Sequence, residues 1–345
     1  MAEFISTFIT GFQDVVKTDL EARFPAIKIL NLYDGLVHYK YDGDSHQIEK
    51  INYFNNTFFV LKTMKGKGLN FPSLVGAVCS SKNYFLVNKG SFRVRFQNEN
   101  QFAKVDKNLT RRAEEYVLAN SKLKLDRLSP TNEIWFCIRR EGFAFCGELI
   151  SHREFTEKNL NKGELRPEIA YLMCCYAGLP EAAVAADPFC GYGSIPVQLQ
   201  KRFSCAKIYA SDIDKEKIDR LSSGALRQAQ GPQHDAQGPQ VDLRQSDAFE
   251  LLHIQDNSID RIITDPPWGL WEDIPDIQDF YNKMFVSFRR VLKADGIMTI
   301  LSARTTELEA AASAQGLTIQ KSLHTLVNGK KATVYVICTD MPDTN

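Results

Sequence analysis

Val184-Ala185-Ala186-Asp187-Pro188-Phe189-Cys190-Gly191-Tyr192-Gly193-Ser194 decides the fold of this 345-residue chain. A short apolar run ends in Asp187, turns through two glycines, and leads into a helical pattern over 194–202. An apolar run bounded by turn signals reads as a buried strand. Gly191 and Gly193 let the backbone turn tightly and come close to a ligand. Ser194 is expected to cap the helix that follows. The full Gly-x-Gly-x-x-Gly of a dinucleotide site is absent, because Pro196 stands three residues after Gly193. Asp187 would also repel a pyrophosphate. A dinucleotide-dependent oxidoreductase is therefore disfavoured.

Outward from this stretch, strand and helix patterns alternate. Strands are expected at 182–187, 206–211, 241–246, 259–264 and 296–302. Helices are expected at 167–177, 194–202, 215–227 and 275–293. Such alternation implies α/β architecture with a parallel, doubly wound sheet. Two last strand-like runs, 318–327 and 332–338, flank Asn328-Gly329 and predict a terminal antiparallel hairpin. Asp187, Asp212, Asp247 and Asp265 each stand at the end of one of four successive strands. Ligands bind at the carboxyl ends of strands in open α/β sheets. One such Asp is ordinarily a turn or cap residue; four in register point to a site. A carboxylate ending the second strand suits a ribose diol, so Asp212 is assigned that role, with Ile213 against an adenine face. Asp247, next to Ala248, can accept from the adenine amino group.

Asp265-Pro266-Pro267-Trp268-Gly269 follows the fourth strand. Two prolines fix the backbone and remove two N–H donors. The loop then offers acceptors, the Asp265 carboxylate and the Pro266 carbonyl, to the two N–H bonds of an exocyclic amine. Trp268 is expected to supply a flat face for a base. The plainer reading is a proline-stiffened turn with a packed aromatic.

Composition is that of a globular protein, 44% hydrophobic and 24% charged, with no run long enough to span a membrane. The N-terminus lacks the basic start of a signal peptide, so the expected location is cytoplasmic. The eight cysteines form no Cys-x-x-Cys pair and the six histidines are scattered, so no metal site is expected. Net charge is zero, yet residues 1–150 hold 21 Lys+Arg against 16 Asp+Glu, leaving 21 against 26 in 151–345. A basic front half suits a polyanion. Within it, Ser91–Phe96 alternates, with Phe92, Val94 and Phe96 on one face and Arg93 and Arg95 on the other. Arg93, Arg95, Lys122, Lys124, Arg139 and Arg140 are the expected phosphate contacts. Ala-Gln-Gly-Pro-Gln occurs at 229–233 and again at 236–240, and reads as a flexible insertion.

These motifs resemble the class I S-adenosylmethionine-dependent methyltransferases, and more narrowly the THUMP-containing RNA guanine-N2 methyltransferases. Leu165-Arg166-Pro167-Glu168-Ile169-Ala170 is similar to that family's lead-in helix, and the segment from Asp187 to Ser194 to its cofactor loop. Asp265-Pro-Pro-Trp-Gly stands where the family carries Asp/Asn-Pro-Pro-Tyr/Phe-Gly. The resemblance implies a Rossmann-like methyltransferase domain over 151–345, with 229–240 as an insertion. A ferredoxin-like α+β domain at 1–60 and a THUMP-like RNA-binding domain at 61–150 would precede it. It also implies S-adenosylmethionine as cofactor, held by Arg166, Pro167, Asp187, Cys190, Gly191, Gly193, Ser194, Asp212, Ile213, Asp247 and Ala248. Asp187 would meet the cofactor's cationic amino end. Asp265, Pro266, Pro267 and Trp268 would be catalytic. The expected partner is RNA, transfer RNA ahead of ribosomal RNA, acted on by a monomer without metal. Asp-Pro-Pro-Trp is also known in adenine-N6 methyltransferases, which keeps adenine N6, on RNA or DNA, as the alternative. There the Pro-Pro loop precedes the cofactor strand; here it follows.

Overall fold

The computed structural model describes residues 2–87, 89–153, 160–224, 239–270 and 274–339. The chain divides into two compact units, one of Met1–Phe8 with Lys17–Glu154, the other of Ile9–Val16 with Phe155–Asn345. The repeat expected as an insertion falls, from 229 to 238, outside the described residues.

The first unit runs β1 (Ala2–Thr7), α1 (Gln13–Arg23, shared with the second unit), β2 (Lys28–Tyr33), β3 (Leu36–Tyr41), α2 (Ser45–Glu49), β4 (Asn56–Lys65), α3 (Phe71–Cys79), β5 (Ser91–Asn98), β6 (Gln101–Phe102), α4 (Lys107–Asn120), β7 (Lys124–Leu125), β8 (Asn132–Arg139) and β9 (Phe143–His152). Its strands form one sheet in the order β2-β3-β1-β4-β9-β8-β5-β6, with β7 beside β5. β4 pairs with β1 on one side and β9 on the other, so the boundary expected at 60 falls inside a strand. Period-2 alternation on β5 and β8 divides the core between two faces. Phe92, Phe96, Ile134 and Phe136 pack with Leu74, Val75 and Val78 of α3 and Ala113 and Val117 of α4. Trp135 and Cys137 face the other way, with Ile5, Leu36, Phe58, Phe143 and Phe145.

The second unit runs α5 (Pro167–Tyr176), β10 (Val184–Asp187), α6 (Ser194–Arg202), β11 (Lys207–Asp212), α7 (Lys215–Ser223), β12 (Gln240–Gln245), β13 (Ile259–Thr264), α8 (Ile277–Val291), β14 (Leu292–Ser302), α9 (Thr305–Ala314), β15 (Leu317–Val327) and β16 (Lys330–Thr339). The strand order is β12-β11-β10-β13-β14-β16-β15. Pairing is parallel from β12 to β14; β16 runs antiparallel to β14 and to β15. Tyr281, Met284, Phe285 and Phe288 of α8 lie against Ile262, Met298 and Ile300 in a dry layer, where truncating such an aromatic to alanine costs about 3–5 kcal/mol. Ile218 and Leu221 of α7 cover Cys190 and Ala210 in a smaller cluster. From β10 the chain winds outward to β11 and β12, then returns to lay β13 on the opposite side. That reversal places a crevice at the carboxyl ends of β10 and β13.

Candidate active site

A cavity of about 450 Å³ opens in that crevice. The loop after each of the first four strands contributes to its wall: Gly191 after β10, Asp212 and Ile213 after β11, Asp247 and Ala248 after β12, Asp265 to Trp268 after β13. The sheet thus brings together residues spread over almost eighty positions of sequence.

The loop after β10 is held by Asp212. One of its carboxylate oxygens accepts from the Gly191 N–H at 2.9 Å, and the other from the Asp214 N–H at 2.9 Å. Cys190 N–H donates to the Ser211 carbonyl at 2.9 Å, tying the loop a second time to β11. The two glycines serve different ends. A Cβ on Gly193 (φ +90°) would lie 2.3 Å from the Leu221 side chain, so packing requires glycine there. A Cβ on Gly191 (φ +53°) would meet nothing nearer than 4.0 Å. That side of Gly191 is left open toward the cavity, with the backbone able to approach a ligand.

Several assigned cofactor residues sit behind the wall. Asp187 is 1% exposed and does not line the cavity. Its Oδ1 accepts from Thr264 Oγ1 at 2.7 Å and the Phe189 N–H at 3.3 Å, joining β10, its loop and β13. Burial pushes its carboxyl up to about 7, against the pull of those two donors; the nearby Asp212 charge adds to the rise. Ser194 is the first residue of α6 and does not cap it. Gly193 takes the cap position, and the Ser194 hydroxyl donates to the Leu165 carbonyl at 2.7 Å. That bond anchors Leu165, a wall residue the motif reading missed. Arg166 pairs with Glu168 at 3.3 Å, and Pro167 opens α5. Burial lifts the Cys190 thiol well above its usual range, which keeps it protonated.

Asp247 uses one oxygen to close its own turn, accepting the Phe249 N–H at 2.8 Å. Ile213 is 68% exposed and lines the cavity, an apolar plane beside the two carboxylates. Trp268 differs from expectation. The residue is only 8% exposed, and its indole N–H donates to Asp265 Oδ1 at 3.0 Å and to the Leu301 carbonyl at 3.3 Å. The walls also include Glu164, Lys217, and Val327, Asn328 and Lys330 around the turn joining β15 to β16. Those last three lie at the tip of the hairpin that Asn328-Gly329 predicts, which extends beyond the end of β14, where Ser302 pairs with Thr333. The charged wall is mainly anionic, and Phe189, Ile213, Phe249 and Phe280 give it apolar surface. It fits a ligand bearing a cationic end, a ribose diol and an aromatic base.

In the first unit the six basic residues divide. Arg93 and Arg95 both pair with Glu133, Arg93 Nε at 2.8 Å and Arg95 Nε at 2.9 Å. Arg95 also lies 4.5 Å over the Phe102 ring. The Arg139 side chain is 9% exposed and donates to the Asp34 carbonyl at 3.0 Å and to Asn100 at 2.9 Å. Lys122, Lys124 and Arg140 remain exposed.

With this geometry the relatives of the chain are informative. The model of the UPF0020 family, the RMKL-like methyltransferase domain, matches residues 153–335. The chain belongs to that family. The RMKL-like methyltransferase domain therefore coincides with the second unit and contains the whole cavity wall. A bovine protein (Bos taurus) described as U6 snRNA (guanine-N(2))-methyltransferase THUMPD2 is 28% identical over 145 residues, 40% of this chain and 25% of its own length. The match thus spans about a quarter of that relative. The crystal structure of TrmN from Thermus thermophilus superposes with a TM-score of 0.79 at 20% identity, covering 98% of this chain and 100% of that one. SMU.472, a putative methyltransferase solved in complex with SAH, gives 0.71 at 14% identity, covering 99% of each chain. At these identities the two structures establish the fold. No helix among the described residues is long and apolar enough to cross a membrane.

Proposed function

We propose that the chain transfers a methyl group from S-adenosylmethionine to the exocyclic N2 amine of a guanosine in RNA, with transfer RNA as the preferred pool. The observation that carries the reading is the meeting of Asp265, Pro266 and the Asp212 and Asp247 carboxylates around one cavity. The description of the bovine relative as a guanine-N2 enzyme supports the choice of base. The cofactor would supply an electrophilic methyl on a cationic sulfur. Asp212 would take the ribose hydroxyls, Ile213 and Ala248 the adenine ring, and Asp247 the adenine amine. The mainly acidic wall suits the cofactor's sulfonium and ammonium charges.

An amine conjugated to a purine ring has a delocalised lone pair and is a poor nucleophile. Donating one N–H to Asp265 and the other to the Pro266 carbonyl draws the nitrogen toward tetrahedral geometry. Its lone pair would then be available to an incoming methyl. S-adenosylmethionine would supply the methyl group and keep the electron pair of its broken C–S bond on sulfur. The extra proton leaves the nitrogen for Asp265 or water. Fixed dipoles and positioning supply the rate. The domain over 61–150 is the proposed RNA-binding part, with Lys122, Lys124 and Arg140 as its phosphate contacts and residues 1–60 as a supporting α+β domain.

The test is incubation with transfer RNA, and separately ribosomal RNA, from a strain lacking the gene, using methyl-labelled cofactor and mass analysis of the nucleosides. N2-methylguanosine is expected from the transfer RNA pool. N6-methyladenosine would overturn the choice of base, and product from ribosomal RNA alone the choice of pool.

A further inference from the structure

We infer that Trp268 is a positioning residue that sets the Asp265 carboxylate through its indole N–H, and is not the surface on which the target base stacks. This rests on the proposed role of Asp265 as acceptor of the substrate amine.

Three observations converge. Trp268 lines the cavity but is only 8% exposed as a residue, so little of it is left for a base to stack on. The single indole donor is shared between Asp265 Oδ1 at 3.0 Å and the Leu301 carbonyl at 3.3 Å. Leu301 belongs to β14, a central strand, and is itself fully buried. The indole therefore bridges a rigid strand and the carboxylate on the loop. The loop is fixed from its other side as well. Arg304 Nε donates to the Trp268 carbonyl at 2.9 Å, and the Arg304 N–H donates to Ser302 Oγ at 2.8 Å. Ser302 Oγ is in turn 2.9 Å from the buried Tyr281 hydroxyl.

The physical consequence concerns rotamers. An Asp side chain on a loop has two torsions to lose before it can aim an oxygen, and an N–H already in place limits that search. A charge-assisted bond of this kind is about twice as strong as a neutral one. It also occupies one lone pair of Oδ1 and so fixes how the carboxylate is turned. Proline rings at 266 and 267 stiffen the backbone, and the indole N–H acts on the Asp265 side chain itself.

Trp268→Phe keeps a buried aromatic and removes the donor alone. The expected result is a kcat lower by about 10- to 100-fold, the scale on which a misplaced catalytic group costs rate. KM for RNA and the dissociation constant of the cofactor should stay within about twofold, since neither ligand is held by the ring. If the base stacked on the ring, KM for RNA would shift instead, and that result overturns the inference. A wild-type kcat in Trp268→Phe overturns it too. A second measurement needs no substrate. In nitrogen-15 spectra of the whole protein, the Trp268 indole resonance is assigned by its loss in Trp268→Phe. It should move in Asp265→Asn, because the acceptor loses its charge. An unmoved resonance refutes the bridge. Should the wild type methylate no RNA at all, the proposed function fails while the spectra still decide the role of the indole.

Discussion

Asp187→Asn should stabilise the methyltransferase unit more at high pH than at low pH. Asp187 is enclosed, and burial, helped by the Asp212 charge and opposed by Thr264 and the Phe189 N–H, pushes its carboxyl from an ordinary 3.8 up to about 7. The folded state therefore keeps a proton that the unfolded chain has already lost between those two values. In that window stability falls as pH rises, because the unfolded state binds fewer protons. At about 1.4 kcal/mol per pKa unit, the stability lost relative to low pH is roughly 2 kcal/mol at pH 5 and roughly 4 kcal/mol at pH 8. The amide cannot ionise, and its carbonyl oxygen can still accept from Thr264 and Phe189. It also carries an N–H pair that the native site does not provide for, a cost independent of pH. The absolute stability of the variant is thus a balance, but its pH slope is not. The variant should gain about 2–3 kcal/mol on wild type between pH 5 and pH 8, or about 1 M in urea midpoint. Urea unfolding of both proteins at several pH values reads this directly. A gap that stays constant with pH would mean that Asp187 is ionised throughout, and would refute the account of the buried carboxyl.

Three further expectations follow the same logic. Asp212→Ala removes the acceptor of the Gly191 and Asp214 N–H groups as well as the ribose partner, so cofactor affinity measured by calorimetry should fall by roughly 10- to 100-fold; an unchanged dissociation constant removes Asp212 from the site. Arg139→Ala removes the bonds to the Asp34 carbonyl and Asn100 in the first unit and should cost about 0.5–1.5 kcal/mol in thermal unfolding, so an unchanged midpoint would show those bonds to be dispensable. Lys122→Ala and Lys124→Ala should leave the melting temperature alone and each lower the salt dependence of RNA binding by about one in the log–log slope; a flat dependence in the wild type would count against a nucleic-acid partner.

The sheet of the second unit was legible because its signals are local. The expected strand at 259–264 and helix at 194–202 coincide with β13 and α6, and the turn at Asn328-Gly329 joins β15 to β16 as anticipated. α9 escaped notice: Thr305–Ala314 is rich in small residues and buries only Leu308, Ala311 and Ala312, so its apolar stripe is faint. In the first unit β4 was missed because its polar residues break the alternation, although pairing on both edges holds it in the sheet. At the site, the ends of strands gave the positions of Asp212, Asp247 and Asp265, since a carboxylate after a parallel strand is a property of sequence. Which oxygen faces the cavity is a property of packing. Asp187 looked like its neighbours along the chain but lies one layer deeper. Trp268 looked like a platform because nothing local reveals the Leu301 carbonyl behind it. Arg93 and Arg95 looked like free cations because Glu133 lies forty residues away in sequence and one strand away in space.

The most direct test of the whole account compares wild type with Asp265→Ala, using labelled S-adenosylmethionine and transfer RNA from a strain lacking the gene. Calorimetry of cofactor binding is run on the same preparations. The account predicts N2-methylguanosine from the wild type, none above background from the variant, and equal cofactor affinity in both. Product from Asp265→Ala at the wild-type rate would contradict it, because the amine would then be activated by something other than this carboxylate.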